Sequence, residues 1–299
     1  MTTRKIFDAH HHLWKLDHCH YPWLMAKGQR RFFGDPAPIQ RDYLAAEFKC
    51  EASRYDVIGS THIQVGVAEE ESVKETEWLQ SVSETEGLPS AIVAFADLTA
   101  EDLQGRLTSH SKSSRLRGIR QIIGRHPDED ALNKSGDLIE NPDFLRGMKV
   151  LSEQGLSFDL QLTETTYSAA ARVLAKVPSL KVAICHFGSP WDLSREGFDR
   201  WQTAMATFAE LPSISVKFSG FGMFKPDWNA DDIAPFVEAA LGLFGADRCM
   251  AGSNFPVDKL YGNYERIWDA LATVIMSDDD YAKVTRENAI RFYDVDLTC

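Results

Sequence analysis

Apolar residues in this chain come in short, nearly unbroken blocks. Each is followed by a longer stretch in which apolar positions recur every three or four residues. The opening run at 5–14 and the blocks at 56–65, 90–96, 116–123, 156–162, 180–186, 214–218 and 249–253 read as eight strands. Blocks without polar alternation suit strands buried on both faces of a parallel sheet. The stretches at 69–86, 141–154, 165–176, 194–210, 230–244 and 264–274 read as helices, and in the first of them Val73, Trp78, Leu79 and Val82 fall on one stripe. Start signals agree with these positions. Asn141-Pro142 is a cap followed by a first-turn proline, and Thr99 with Asp102 forms a weak capping box. Ser277, with three aspartates behind it, opens a further C-terminal helix.

Eight strand-then-helix units in one chain predict an α/β fold, a (β/α)8 TIM barrel. It forms a single domain over 1–299, with a long loop after strand 1 and an extra C-terminal helix. An open doubly wound sheet needs a glycine-rich turn after its first strand, and histidines stand there instead. The long segment at 15–41 has no period and reads as either a substrate-covering loop or a packing arm. Its neighbour Trp14 and its own Trp23 either wall a pocket or pin the loop to the barrel.

Composition narrows the partners. Among 299 residues, 44% are hydrophobic and 25% charged, and the net charge is −12. This acidic balance, with no long basic run, argues against nucleic acid or an anionic membrane as a partner. No apolar stretch approaches the about 18 residues of a spanning helix, and no signal-peptide core follows the N-terminus. Five cysteines, widely spaced and without a CxxC pair, suit reduced thiols in the cytoplasm. The expected partner is a small molecule carrying a carboxylate or hydroxyls; a homo-oligomer stays open.

In a barrel, chemistry collects at the C-terminal strand ends. Strand 1 ends in His10-His11-His12, where alternation turns His10 and His12 one way and His11 the other. Strand 6 ends in His186. Three histidines from two strand ends can hold a divalent ion with a position open for water, zinc being the first expectation and manganese the second. The competing reading of His186 is a buried ring held by a backbone carbonyl. Arg120, in strand 4, offers a planar fork for a substrate carboxylate, or else pairs internally with Asp159. Gln161, Trp14 and Lys217 complete the candidate substrate contacts, although a lysine amid apolar strand residues favours structural pairing. Strand 8 ends in Asn254, with Asp258 just beyond; both join His10, His12 and His186 as catalytic candidates. No nucleophile elbow, phosphate loop or HExxH helix is present.

Four stretches together resemble a known family: Asp8-Ala9-His10-His11-His12-Leu13-Trp14, Gly118-Ile119-Arg120-Gln121, His186-Phe187-Gly188-Ser189-Pro190, and Gly252-Ser253-Asn254-Phe255-Pro256-Val257-Asp258. The resemblance is to the amidohydrolase superfamily, in its branch of small TIM-barrel hydrolases that includes sugar-acid lactonases and 2-pyrone-4,6-dicarboxylate lactonase. It implies that His10, His12 and His186 line the site, as metal ligands or, in metal-independent members, as direct substrate contacts. Relatives typically carry an aspartate after Gly-Ser in strand 8, where this chain has Asn254, an amide that cannot take a proton at neutral pH. Strand 4 has no lysine to bridge two metals, and Gln161 stands where many binuclear relatives have a histidine, so a two-metal site is not expected. The favoured expectation is a lactonase in which Arg120 binds the substrate anion, Asn254 positions water, and His186 or Asp258 is the base. A decarboxylase of the same fold and a non-catalytic binder are the alternatives.

Overall fold

A computed structural model describes residues 4–297. Its eight strands are β1 (Lys5–His11), β2 (Asp56–Ile63), β3 (Ala91–Ala94), β4 (Leu116–Arg120), β5 (Ser157–Leu160), β6 (Val182–Ile184), β7 (Ile214–Phe218) and β8 (Cys249–Ala251). All paired neighbours are parallel and lie in sequence order. The segments following β1 and β8 then meet, His12 N donating to Phe255 O at 2.7 Å and Asn254 N to His10 O at 2.7 Å. The result is a nearly closed (β/α)8 TIM barrel. Short strands such as β3 and β6 are buried along their whole length, as their unbroken apolar character requires.

The side-chain caps at 141, 194 and 277 form. Asn141 accepts from Asp143 N, Ser194 from Gly197 N and Ser277 from Asp280 N. Thr99 does not open a helix. Its amide and hydroxyl both bond to Asp97 Oδ1 in a local turn, and the helix starts later, as Leu103–His110. The extra C-terminal helix is broken into Asp278–Ala282, a π turn Lys283–Glu287, and Asn288–Phe292. Asn288 anchors it by donating to Ala246 O and Cys249 O. Two helical pieces follow β4 unforeseen, Pro127–Asn133 and the 3-10 turn Ser135–Glu140; their few apolar residues carry no stripe. Among the described residues no helix is long and apolar enough to cross a membrane. Cys19, Cys50, Cys185 and Cys249 are free thiols, and Cys299 lies outside the described residues.

The segment after β1 is a packing arm and a cover at once. Trp14 pairs with Tyr43 across an antiparallel bridge and donates from its indole to Arg41 O at 2.6 Å. Trp23, further along, donates to Val65 O at 2.6 Å, beside the end of β2. The helix Ala45–Glu51 then leads the chain back towards β2.

Inside the barrel, Lys217 of β7 is fully buried against Asp159 of β5, with an ion pair between them. Lys217 also donates to Ala9 O at 3.0 Å, and Tyr293 donates to Asp159 at 2.9 Å. Lys217 is therefore a structural cation and not a substrate contact, which corrects its place among the candidates. Asp159 therefore makes no ion pair with Arg120, although its charge still favours the guanidinium's charged form. Removing one member of a buried pair leaves the other's charge uncompensated. Asp159→Asn is expected to destabilise the fold by about 3–5 kcal/mol in urea unfolding, and adding Lys217→Met to recover most of that loss. A double variant as unstable as the sum of the two singles would show the pair to be uncoupled.

Candidate active site

The site begins with a clamp. Asp8 is buried on β1, and its Oδ1 accepts from His10 N at 3.1 Å and Ser253 N at 2.9 Å. Its Oδ2 accepts from Ser253 Oγ at 2.6 Å and Tyr264 OH at 3.0 Å. Burial nevertheless raises its pKa to about 6, outweighing those bonds. The clamp joins the end of β8 to β1, and Gly252 makes the approach possible. A Cβ there would lie 2.5 Å from that of His10.

The histidines separate as strand alternation predicts. His11 faces outward, stacked on Phe48 at 4.3 Å and bonded through Nε2 to Ser60 Oγ at 2.9 Å. His10 and His12 face inward, with ring centroids 5.2 Å apart, and His186 lies 4.5 Å from His10. His186 is not on a strand. It sits at positive φ in the turn after β6, with Nδ1 3.0 Å from Ser219 Oγ. Gly220, itself at positive φ, leaves room for that ring, since a Cβ would come within 2.5 Å of Nδ1.

Bond accounting fixes the proton on His12. Nδ1 lies 2.7 Å from Ile63 O, which can only accept, so Nδ1 carries the hydrogen and Nε2 is a lone pair. Nε2 lies 3.2 Å from the Asn254 side-chain amide. The atom placed towards Nε2 is Asn254 Oδ1; a neutral ring with its proton on Nδ1 requires the amide the other way round, with NH2 on Nε2 and the oxygen towards Asp258, an orientation assigned from the hydrogen bonds. The Asn254 side chain favours the charged form of Asp258, but burial outweighs it and raises the pKa to about 8, towards the acid form that can donate. The chain of groups Asp258–Asn254–His12 thus holds together with every imidazole neutral. Burial first, then neighbouring positive charge, keeps it so. His12 falls to about 3, with Arg120 as the leading charge, while His10 and His186 lie well below their ordinary value.

These groups surround a narrow, open cleft at the C-terminal mouth of the barrel. His12, Arg120, Gln161, His186 and Asn254 line it from the strand ends, and Trp23 and Arg31 line it from the covering loop. His10 and Asp258 lie behind this lining, and both ring nitrogens of His10 are buried without a partner. Trp14 is fully buried away from the cleft and is replaced there by Trp23, so it is the pin and not the wall. Sequence reasoning gave no role to Arg31, Arg125 or Gln64. Arg125 and Gln64 carried a signal, their places just past the end of strand 4 and at the end of strand 2.

Arg120 is the electrostatic centre. It is buried, donating to Gln64 O and, at 3.3 Å, to Gln161 Oε1, while its Nε has no partner. It makes no ion pair among the described residues. A buried guanidinium without a carboxylate is costly unless something arrives to meet it.

Three neighbouring imidazoles are a donor set of the kind that holds a divalent ion. Among the described residues no three His, Cys, Asp or Glu side chains come together in a ligating arrangement. The lone pair of His12 is engaged by Asn254, and the positive field of Arg120 opposes a cation. The three rings stand together, and both nitrogens of His10 are free of partners, but they do not form a preassembled centre.

Residues 7–295 match the family model described as amidohydrolase. An uncharacterized Sinorhizobium fredii protein, y4mH, is 35% identical over 299 residues, covering 99% of this chain and 100% of that one. An L-fucono-1,5-lactonase of Burkholderia ambifaria is 25% identical over 306 residues, covering 99% and 97%. In fold, the chain is similar to a Burkholderia multivorans amidohydrolase crystallised with bound zinc, with a TM-score of 0.81 at 24% identity. That match covers 97% of this chain and 99% of the other.

The proton accounting is directly measurable. Titrated by NMR, the His12 ring is expected to keep its neutral-imidazole shifts from pH 8 down to about 5 and to protonate only near 3. The unfolded chain takes up that proton near 6.5, so the contribution of His12 to stability falls as pH drops through this window. A midpoint near 6.5 in the folded protein would contradict the assignment.

Proposed function

This chain belongs to the amidohydrolase family and is a hydrolase, and on that premise we propose that it opens the ester bond of a small lactone. The observation that carries the reading is Arg120, a buried guanidinium that makes no ion pair among the described residues, set among neutral imidazoles at the cleft.

In this reading the ester carbonyl faces Arg120. As water adds, negative charge grows on the carbonyl oxygen, and a preformed cation already in place there stabilises that charge without reorganisation. His186 is the base. With Nδ1 tied to Ser219, its Nε2 is the nitrogen left to receive a proton. The low proton affinity imposed by burial helps the return step, in which the ring gives that proton away. The water oxygen bonds to the carbonyl carbon, its proton passes to His186, the ring C–O bond breaks, and the proton moves to the departing alkoxide. The product is a hydroxy acid, which ionises at neutral pH and acidifies the medium.

His12 and Asn254 border the same space and orient water and substrate. Asn254 acts as an amide relay and not as the base. Asp258 is a positioning residue, acting through Asn254. The steps above are written through this chain's own side chains alone. The lactonase relatives support the substrate class by similarity alone.

A pH-indicator assay over a panel of lactones tests the reaction, since hydrolysis releases acid whereas decarboxylation consumes it. On a lactone that is turned over, His186→Gln is expected to lower kcat by about 10²–10⁴-fold, the usual scale of a lost general base, with KM within severalfold. An unchanged kcat would remove His186 from the mechanism.

A further inference from the structure

The strand ends give the cleft its polar groups, whereas the covering loop gives it rings. Trp23, Phe32 and Phe33 line it, joined by Val65, Met223 and Val257. The rings continue outward as one row. Between centroids, Trp23 meets Phe33 at 5.9 Å, Phe33 meets Phe32 at 4.9 Å, Phe32 meets Trp191 at 5.8 Å and Trp191 meets Phe224 at 4.8 Å. Each of these pairs is close to perpendicular, the edge-to-face arrangement that aromatic quadrupoles favour. The row runs from beside the end of β2, across the covering loop, to the segments after β6 and β7.

Three hydrogen bonds fix the row. The indole of Trp23 donates to Val65 O at 2.6 Å, that of Trp191 donates to Arg125 O at 3.0 Å, and the Tyr261 hydroxyl donates to Phe33 O. The Arg31 guanidinium lies over the Trp23 ring at 5.9 Å and lays a further flat face against the row. Arg125 borders the same cleft, with Glu129 and Asp130 supplying negative charge beside it. Trp23 and Phe32 remain half-buried, so a rigid aromatic surface stays partly open to water at the mouth. Covering such a surface with an apolar group is favourable.

The same lining is poor in acceptors for hydroxyl groups. Among the described residues no aspartate, glutamate, serine, threonine or tyrosine lines it. Gln161 Oε1 already accepts from Arg120, the His12 and Asn254 side chains satisfy each other, and His186 Nε2 is reserved for the reacting water. The bordering carbonyls of Phe33, Gln64, Val65 and Arg125 each accept a bond from a side chain. A row of substrate hydroxyls would lose water here without regaining its bonds, which is costly. We propose that the substrate is a lactone carrying an aromatic ring, packed against the Trp23–Phe33–Phe32 row, with Phe32 as the specificity-determining residue. This rests on the hydrolase reading above, which places the ester carbonyl at Arg120 and leaves the non-reacting part of the molecule to the covering loop. A flat ring suits a narrow cleft and gains both area and ring-to-ring contact there.

The test uses binding as well as turnover. Lactams are stable mimics of lactones, and three are titrated calorimetrically into the intact protein: dihydroquinolinone, with a fused benzene ring; valerolactam, which is bare; and gluconolactam, which carries hydroxyls. Dihydroquinolinone is expected to bind at least about tenfold more tightly than either of the others, with little dependence on salt. Phe32→Ala is expected to weaken dihydroquinolinone about tenfold and valerolactam much less, and an unchanged melting temperature excludes misfolding as the cause. Gluconolactam or valerolactam bound as tightly as dihydroquinolinone by the parent protein, or a Phe32→Ala variant that binds dihydroquinolinone undiminished, overturns the inference. Turnover of dihydrocoumarin, valerolactone and gluconolactone, each above its spontaneous rate, separates the two claims. The expected order of lactam binding with none of the lactones hydrolysed defeats the hydrolase reading and leaves the aromatic site standing. Hydrolysis of gluconolactone in preference to dihydrocoumarin defeats the aromatic substrate alone.

Discussion

A positive charge held inside the barrel mouth with no carboxylate bonded to it is the constraint on which the site depends. Arg120 satisfies two of its donors on neutral oxygens, Gln64 O and Gln161 Oε1, which orient the guanidinium without neutralising it. Asp159, its nearest internal candidate, is committed to Lys217 and Tyr293 one layer deeper. The field of Arg120 reaches the neighbouring imidazoles and, added to burial, holds them neutral. A neutral imidazole can take a proton from water, whereas a protonated one cannot. One uncompensated cation thus makes the cleft receptive to negative oxygen and keeps its bases free.

The barrel supplies the rigidity this requires. Its last seam is closed by side chains as well as backbone, through the bonds of Asp8 to Ser253, His10 N and Tyr264. That seam brings Asn254 against His12, and Gly252 permits the approach. The covering loop is equally fixed, through the indoles of Trp14 and Trp23. Groups set on such supports lose little freedom when a ligand arrives, which is the physical content of preorganisation.

Much of this was legible in the sequence, because unbroken apolar blocks and amphipathic stretches are direct consequences of a parallel barrel sheathed in helices. The opposite facing of His11 and of His10 with His12 followed from strand period alone. What escaped was set by contacts distant in the chain. Nothing local distinguishes Lys217, whose partner lies 58 residues away, from a lysine aimed at substrate. Trp14 and Trp23 are equivalent as residue types, and only the pairing of Trp14 with Tyr43 decides which is buried. Arg31 and Arg125 sit in segments without period, and their convergence on Arg120 is a property of the fold. His186 and its turn, at positive φ, depend on room left by Gly220, a relation no strand pattern encodes.

The central claim is tested most directly by the unfolding free energy and the turnover of Arg120→Met, which keeps the bulk and removes the charge. If Arg120 waits uncompensated for a negative oxygen, the variant is as stable as the parent or more stable by up to about 2 kcal/mol, and it no longer hydrolyses its lactone. A loss of about 3 kcal/mol or more, the size seen when a paired buried charge is broken, would show that Arg120 belongs to the framework and contradict the account.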